Sequence, residues 1–266
     1  MALFSLITIT MGNRATELKR LRDSLARQTC RDFEHIVIDQ REHPEFENSL
    51  SRARNFGISL ARGEIIAFPD DDAWYATTIL EDVRAYLADP QVDGVSFRVT
   101  SAEGQCSAGG YMSPFRMKMS RATIWRTAVS CSFFVKRQVL GSSRFDERLG
   151  VGSSTKFGSG EETDFLLTLL SQGARFVYDG TKTIYHPLSK GPYSGRKGWL
   201  YGNGCGAVLR KHKFSFARLI WMISTQLIRT VQASLSLNPS KARFHFLMAL
   251  GRLSGYLTYP VNACNT

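Results

Sequence analysis

The chain opens with LFSLITIT (residues 3–10), a β-branched apolar run bounded by Gly12 and Asn13, and this predicts a strand. Behind it ATELKRLRDSLARQ sets Leu18, Leu21 and Leu25 at helical spacing. The alternation then repeats. FEHIVID (33–39) predicts a second strand, NSLSRARNFGISLARG (48–63) a helix closed by Gly63, and EIIAFP (64–69) a third strand. TTILEDVRAYLAD (77–89) predicts a helix ended by Pro90, and DGVSFRVT (93–100) a fourth strand. Strand alternating with helix implies an α/β, Rossmann-like fold whose mainly parallel central sheet carries helices on both faces. In such sheets ligands bind outside the carboxyl ends of the strands, where Asp39 and Asp70 to Asp72 fall.

Beyond residue 100 the pattern is less regular. A Gly-, Ser- and Met-rich stretch carries Trp125 and Arg126 and leads to an expected strand at Ser132–Val135. GSGEETDFLLTLLSQG (158–173) predicts a helix opened by Glu161, Glu162 and Asp164, and TIYH a short strand ending at His186 before a Gly-rich basic loop. From Phe216 to Leu237 the apolar residues spread over a broad face, with Arg218, Thr225, Arg229 and Gln232 on a narrow one. After Asn238 and Pro239, Phe246, Leu250, Leu253 and Leu257 repeat at helical spacing with Lys241, His245 and Arg252 opposite. Both tail helices are amphipathic and too polar to span a bilayer.

Charge sharpens the division. The net charge is +11, yet the last acidic residue is Asp179; twelve of the 34 Lys and Arg follow it, leaving 22 against 23 carboxylates in residues 1–179. The surplus belongs to the tail, which seeks anionic partners. A nucleic-acid partner is not expected, since the tail aromatics form a helix face and no RNA-binding motif is present. Five scattered cysteines make no CxxC pair, and the N-terminus shows no export signal, so a cytoplasmic protein is expected.

Three adjacent carboxylates at the end of a buried strand are costly unless paired or bound to a cation. Asp-x-Asp spacing lets Asp70 and Asp72 share a divalent ion, and oxygen ligands suit Mg2+ or Mn2+. A solvated turn or helix N-cap is the plainer alternative. Helix capping likewise accounts for one or two of Glu161, Glu162 and Asp164, while three behind a Gly-Ser-Gly loop also make a rim able to present a general base. Trp125 and Arg126 suit a sugar ring and a phosphate, although core packing explains Trp125 equally well. Trp74 and Tyr75 are expected to pack a helix onto the sheet.

The order of ITIT with Asn13 and Arg14, VID, SRARNFGISLARGEIIAFPDDD and SGEETDFLLTLLSQG resembles the inverting family 2 glycosyltransferases of the GT-A fold, nearest to bacterial members that build exopolysaccharide or other surface glycans. The resemblance covers about residues 3–190, and YGNGCGAVLRKH is similar to the tail of that subgroup. It implies a catalytic domain over 1–205, with a nucleotide-sugar half to about residue 100 and an acceptor half after it, and a basic helical tail over 206–266. It implies a nucleotide site at Thr10, Arg14, Asp39, Arg54, Asn55, Asp70 and Asp71, with Asp71 the variable middle residue of the Asp-x-Asp. A metal would be held by Asp72, Asp70 and His186. The family's catalytic pair falls on Glu161 and Glu162, the second being the expected base, and Trp125, Arg126 and Asp164 fall on the acceptor side. Where the family often continues VID as Asp-Gly-Ser, this chain has Gln40, Arg41 and Glu42, which leaves the base of the nucleotide open.

The implied reaction moves a sugar from a nucleotide diphosphate sugar, a UDP-sugar foremost, to a glycan or lipid-linked acceptor, with Mn2+ or Mg2+ as cofactor. Lys190, Arg196 and Lys197 are candidates for holding the diphosphate. Two basic amphipathic helices further imply an anionic membrane surface as partner, on the inner face of the cytoplasmic membrane, or else packing on the catalytic domain or another subunit. A sugar nucleotidyltransferase and a non-catalytic nucleotide-sugar binder are the alternatives. The former would carry a Gly-rich basic loop after strand one, where this chain has MGNR.

Overall fold

The computed structural model describes residues 2–46, 49–106, 112–188 and 193–260. In chain order its elements are β1 (Phe4–Thr10), α1 (Ala15–Ala26), β2 (Phe33–Asp39), α2 (Leu50–Leu60), β3 (Ile65–Ala67), β4 (Trp74–Tyr75), α3 (Ile79–Leu87), β5 (Gly94–Thr100), β6 (Arg116–Lys118), β7 (Phe133–Lys136), α4 (Arg137–Leu140), α5 (Glu161–Ser171), β8 (Phe176–Tyr185), α6 (Gly195–Lys211), α7 (Phe216–Leu235) and α8 (Pro239–Thr258). They form two compact units, one from residues 1–48, 52–145 and 165–189, the other from 49–51, 146–164 and 190–266. The expected boundary near 205 lies inside α6.

The first unit holds an eight-stranded sheet ordered β2-β1-β3-β7-β5-β8-β4, with β6 paired to β8. Helices and sheet together make it α/β, as the alternation predicts. β1 runs parallel to β2 and β3, and β5 parallel to β8. β7 is antiparallel to β3 and β5, and β4 and β6 are antiparallel to β8, so the sheet is mixed where a mainly parallel one was expected. The cause is local: parallel neighbours need a crossover, and the strand-helix alternation that supplies one stops at residue 100.

All seven residues of β1 are buried between β2 and β3, and its carboxyl end pairs Thr10 with Asp39. β3 runs into Phe68, whose ring meets Phe145 edge-on at 5.1 Å, and Phe145 stacks on Phe165 at 4.2 Å. Trp74 and Tyr75 form the short strand β4 and meet α1 as expected: Arg20 lies 3.9 Å over the Trp74 ring and the Tyr75 N–H donates to Ser24 Oγ at 3.1 Å, while Trp74 also stacks on Tyr185 of β8 at 5.5 Å. The acidic triplet is thereby fixed at both ends, by β3 before it and β4 after it.

In the second unit each helix starts on a side-chain cap. Ser194, Ser215 and Asn238 accept from the backbone N–H of Lys197, Arg218 and Lys241, and Pro239 fits the first turn of α8, where its missing N–H costs nothing. α6 and α8 pack backbone to backbone along glycines. A Cβ on Gly202 would stand 2.3 Å from the Met248 carbonyl oxygen, and one on Gly255 2.0 Å from that of Asn203. α7 closes on α8 through Arg252, which donates to the Met222 carbonyl, and His245 beside Gln226 at 2.8 Å. Among the described residues no helix is long and apolar enough to cross a membrane.

Because both neighbours at Gly255 are backbone, they cannot move aside. Gly255→Val is expected to lower stability by about 1–3 kcal/mol, read as a shift in the urea midpoint, and an unchanged midpoint would contradict the close approach.

Candidate active site

The carboxyl ends of the strands bring seven of the expected residues into one cluster. Thr10 donates to Asp71 at 2.8 Å, and Arg14, at the start of α1, bridges Asp71 at 3.1 Å and Asp72 at 2.7 Å. Asp70 lies 3.5 Å from Arg54, and His186, just past β8, stands 3.1 Å from Asp72. Three carboxylates thus meet two guanidinium groups and an imidazole. Asp71, the residue between the two proposed metal ligands, faces β1 as closely as either of them faces its own partner.

The electrostatics divide the triplet. Desolvation raises the Asp70 carboxyl, and Arg54 and His186 only moderate it; Asp71 is likewise raised by burial against the pull of Thr10 and Arg14. Burial would also raise Asp72, but His186 and Arg14 outweigh it and hold that carboxyl below its usual range. The His186 imidazole, in turn, is lifted by Asp72 above its ordinary value despite its burial. Asp72 is therefore the most firmly ionised of the three.

Among the described residues no three His, Cys, Asp or Glu side chains are arranged to hold a metal ion. One atom nevertheless suits a cation: Asp72 Oδ1 is buried, and its near neighbour is His186 Nε2 at 3.1 Å. Two carboxylates and substrate phosphate oxygens suffice for Mg2+ or Mn2+, so Asp70 and Asp72 fit such an ion with the substrate completing the shell.

Other expected residues sit differently. Asp39 is at the rim, gripped by Arg41 through Nε at 3.0 Å and Nη2 at 2.5 Å, a pairing that holds its carboxyl low. The Asn55 amide clamps the Phe145 backbone, donating at 3.0 Å and accepting at 2.8 Å. Arg54 is 2% exposed, beneath the cluster instead of on its open side. Trp125 and Arg126 share a 3-10 turn, Ile124–Arg126, with Trp125 half-buried and Arg126 exposed. Lys190 lies outside the described residues. Two contributors were missed. Ser130 donates to Asp70 at 3.3 Å and Arg20 to the Asp72 carbonyl at 2.7 Å, contacts spanning 60 and 52 residues that no local motif marks.

Within the second unit, Glu161 is buried beneath Gly150, where a Cβ would stand 3.0 Å from its carboxyl group, whereas Glu162 is half-exposed. Asp164 is 1% exposed and bound by Lys211 at 2.8 Å and His212 at 2.7 Å. Lys211 also reaches Asp146 at 2.8 Å, and Arg148 and Tyr259 complete that group, which drives the Asp146 carboxyl far below its usual range. Burial, followed by the Glu161 and Glu162 charges, raises the Tyr201 hydroxyl.

Residues 42–141 match the protein family described as Glycosyl transferase family 2. Over 165 residues the chain is 24% identical to the minor teichoic acid biosynthesis protein GgaB of Bacillus subtilis (strain 168), a stretch covering 58% of this chain and 18% of that much longer protein. Two solved structures share the fold. S. aureus TarS 1-349 superposes with a TM-score of 0.56 at 16% identity, over 92% of this chain and 90% of that one, and has also been solved with UDP-GlcNAc. The mannosyltransferase PcManGT from Pyrobaculum calidifontis, in complex with GDP-Man and Mn2+, superposes with a TM-score of 0.61 at 14% identity, over 96% and 87%.

Arg54 is the buried counter-charge of the cluster. Arg54→Met should therefore cost about 3–5 kcal/mol by leaving Asp70 uncompensated, and the double variant with Asp70→Asn should recover much of it. Equal urea midpoints for wild type and Arg54→Met would refute that role.

Proposed function

We propose that the chain is a family 2 glycosyltransferase of the GT-A fold, and that it transfers a sugar from a nucleotide diphosphate sugar to a hydroxyl of a bacterial surface polymer, with inversion at the anomeric carbon. One observation carries the reading: Asp70, Asp71 and Asp72, inside the matched segment, converge with Arg14 and His186 at the carboxyl end of the sheet. The relationship to GgaB favours a teichoic-acid-type polymer as acceptor.

In this reading Asp39 and Thr10 border the nucleoside, and Arg14 and His186 face the diphosphate. The acceptor hydroxyl attacks the anomeric carbon as the bond to the diphosphate oxygen breaks. Glu162 takes the hydroxyl proton, and the departing diphosphate keeps the electron pair. Exposure favours Glu162 over Glu161 and Asp164, because both neighbours are buried. Arg14 offsets the developing negative charge, and His186 reinforces it when protonated. Asp70 and Asp72 would hold a divalent ion, which would supply Lewis-acid stabilisation of that phosphate when bound. Trp125 and Arg126 are assigned to the acceptor side, an aromatic face for a sugar ring and a guanidinium for a phosphate.

The tail adds a membrane contact. Trp221, Ile228, Val231 and Leu235 stand 50%, 58%, 58% and 80% exposed on α7, amid cations and without a single carboxylate beyond Asp179. Such a face suits an anionic bilayer surface, placing the enzyme peripherally on the cytoplasmic leaflet.

Glu162→Gln should retain nucleotide-sugar binding, measured as a thermal shift with and without Mn2+, while losing transfer by about 100-fold or more. Wild-type turnover in that variant would move the base to another residue, and no thermal shift with any nucleotide sugar would sink the donor site. For the tail, Trp221→Glu combined with Ile228→Glu is expected to abolish pelleting with anionic vesicles. Unchanged pelleting would refute the membrane contact.

A further inference from the structure

At the opposite end of the first unit's sheet, where β1 and β3 begin, lies a cavity of about 980 Å³. Arg62 at the end of α2, Arg84 on α3, Lys136 at the end of β7, Arg137 on α4 and Arg144 line it, against the single carboxylate of Glu64. The excess is local, because residues 1–179 hold 22 Lys and Arg against 23 Asp and Glu. Lys136, Arg137 and Arg144 donate to carbonyl oxygens, those of Asp89 at 3.2 Å, Arg62 at 3.3 Å and Ser143 at 2.8 Å. Carbonyl dipoles orient these three cations, while Arg84 pairs with Glu81 at 3.6 Å and the charges of Asp93 and Glu34 lie near Lys136 and Arg62.

The floor is aliphatic: Ile58, Ile65, Leu87 and Leu140 contribute to it, and among the described residues no aromatic ring lines the cavity. A stacking platform for a base or sugar ring is therefore missing, while a flexible carbon chain finds apolar surface. One phosphodiester carries a single charge and engages one or two such cations, so five cations around one mouth match a chain with several phosphates.

From this geometry we propose that the cavity is a second anion site, remote from the acidic triplet, that holds a stretch of a polyol-phosphate chain. The inference rests on the surface-polymer acceptor proposed above. Phosphates engage the arginine forks at the rim while the polyol carbons cover the aliphatic floor. Reacting and non-reacting parts of one polymer thus contact different ends of the sheet, and binding at the remote end raises the residence time of long acceptors over short ones.

The test measures fluorescence anisotropy of labelled poly(glycerol phosphate) with the full chain and two double variants of equal charge change. Arg137→Glu with Arg144→Glu should weaken binding by about tenfold or more, as expected for lost charged hydrogen bonds, while Arg229→Glu with Arg243→Glu in the tail leaves it within about twofold. Equal loss in both variants, or none in the first, overturns the site. So does a cavity variant that keeps polymer binding but loses pelleting with anionic vesicles, which would assign the cavity to a lipid surface. Transfer to a short uncharged acceptor separates the two proposals. Wild-type protein that transfers to no acceptor refutes the acceptor reading, whereas cavity variants that keep this transfer and bind the polymer normally refute the cavity site alone.

Discussion

Compensation of three consecutive carboxylates governs the architecture of the first unit. Asp70 to Asp72 cannot gather at a sheet edge unless cations arrive from elsewhere, and they come from three separate elements: Arg14 at the start of α1, Arg54 on α2 and His186 at the end of β8. Each cation is positioned by its own element, so the strand order and the cluster are one constraint. β8 must pass beside β4 for His186 to reach Asp72, and that pairing is what Trp74 and Tyr75 provide through Tyr185 and Ile184.

The triplet is also unequal by design of its surroundings. Arg54, almost wholly buried, sits under Asp70, while Arg14, with half its side chain exposed, spans Asp71 and Asp72. A buried partner is costly to remove and makes a rigid base. An exposed one is free to exchange a carboxylate for a phosphate oxygen, since the guanidinium forms the same forked contact with either. The cluster therefore couples a fixed lower layer to an adaptable upper one.

Much of this was legible in the sequence wherever the signal was local. The strands and helices up to residue 100 follow from periodicity, and Asp70, Asp72, Arg14 and His186 converge as the resemblance implies. What failed was long-range. Nothing near Trp74 announces that it pairs with Tyr185, and a two-residue strand is too short to show alternation. Asn55 stands beside Arg54 in the sequence, yet one helical step turns it toward Phe145 and makes it a backbone clamp. Asp164 fits an acidic rim by composition, but its burial is decided by Lys211 and His212, 47 and 48 residues away.

That last pairing follows from the distribution of charge. After Asp179 the chain has twelve Lys and Arg and no carboxylate, so a tail cation that becomes buried meets either a carbonyl, as Arg252 does at Met222, or a carboxylate of an earlier segment. Within the second unit the available acids are those of residues 146–164, and Lys211 takes two of them, Asp146 and Asp164. The same segment carries Glu161 and Glu162. Charge segregation along the sequence thus joins the tail to the stretch that presents the proposed base, and the helices after residue 195 are part of how that stretch is held.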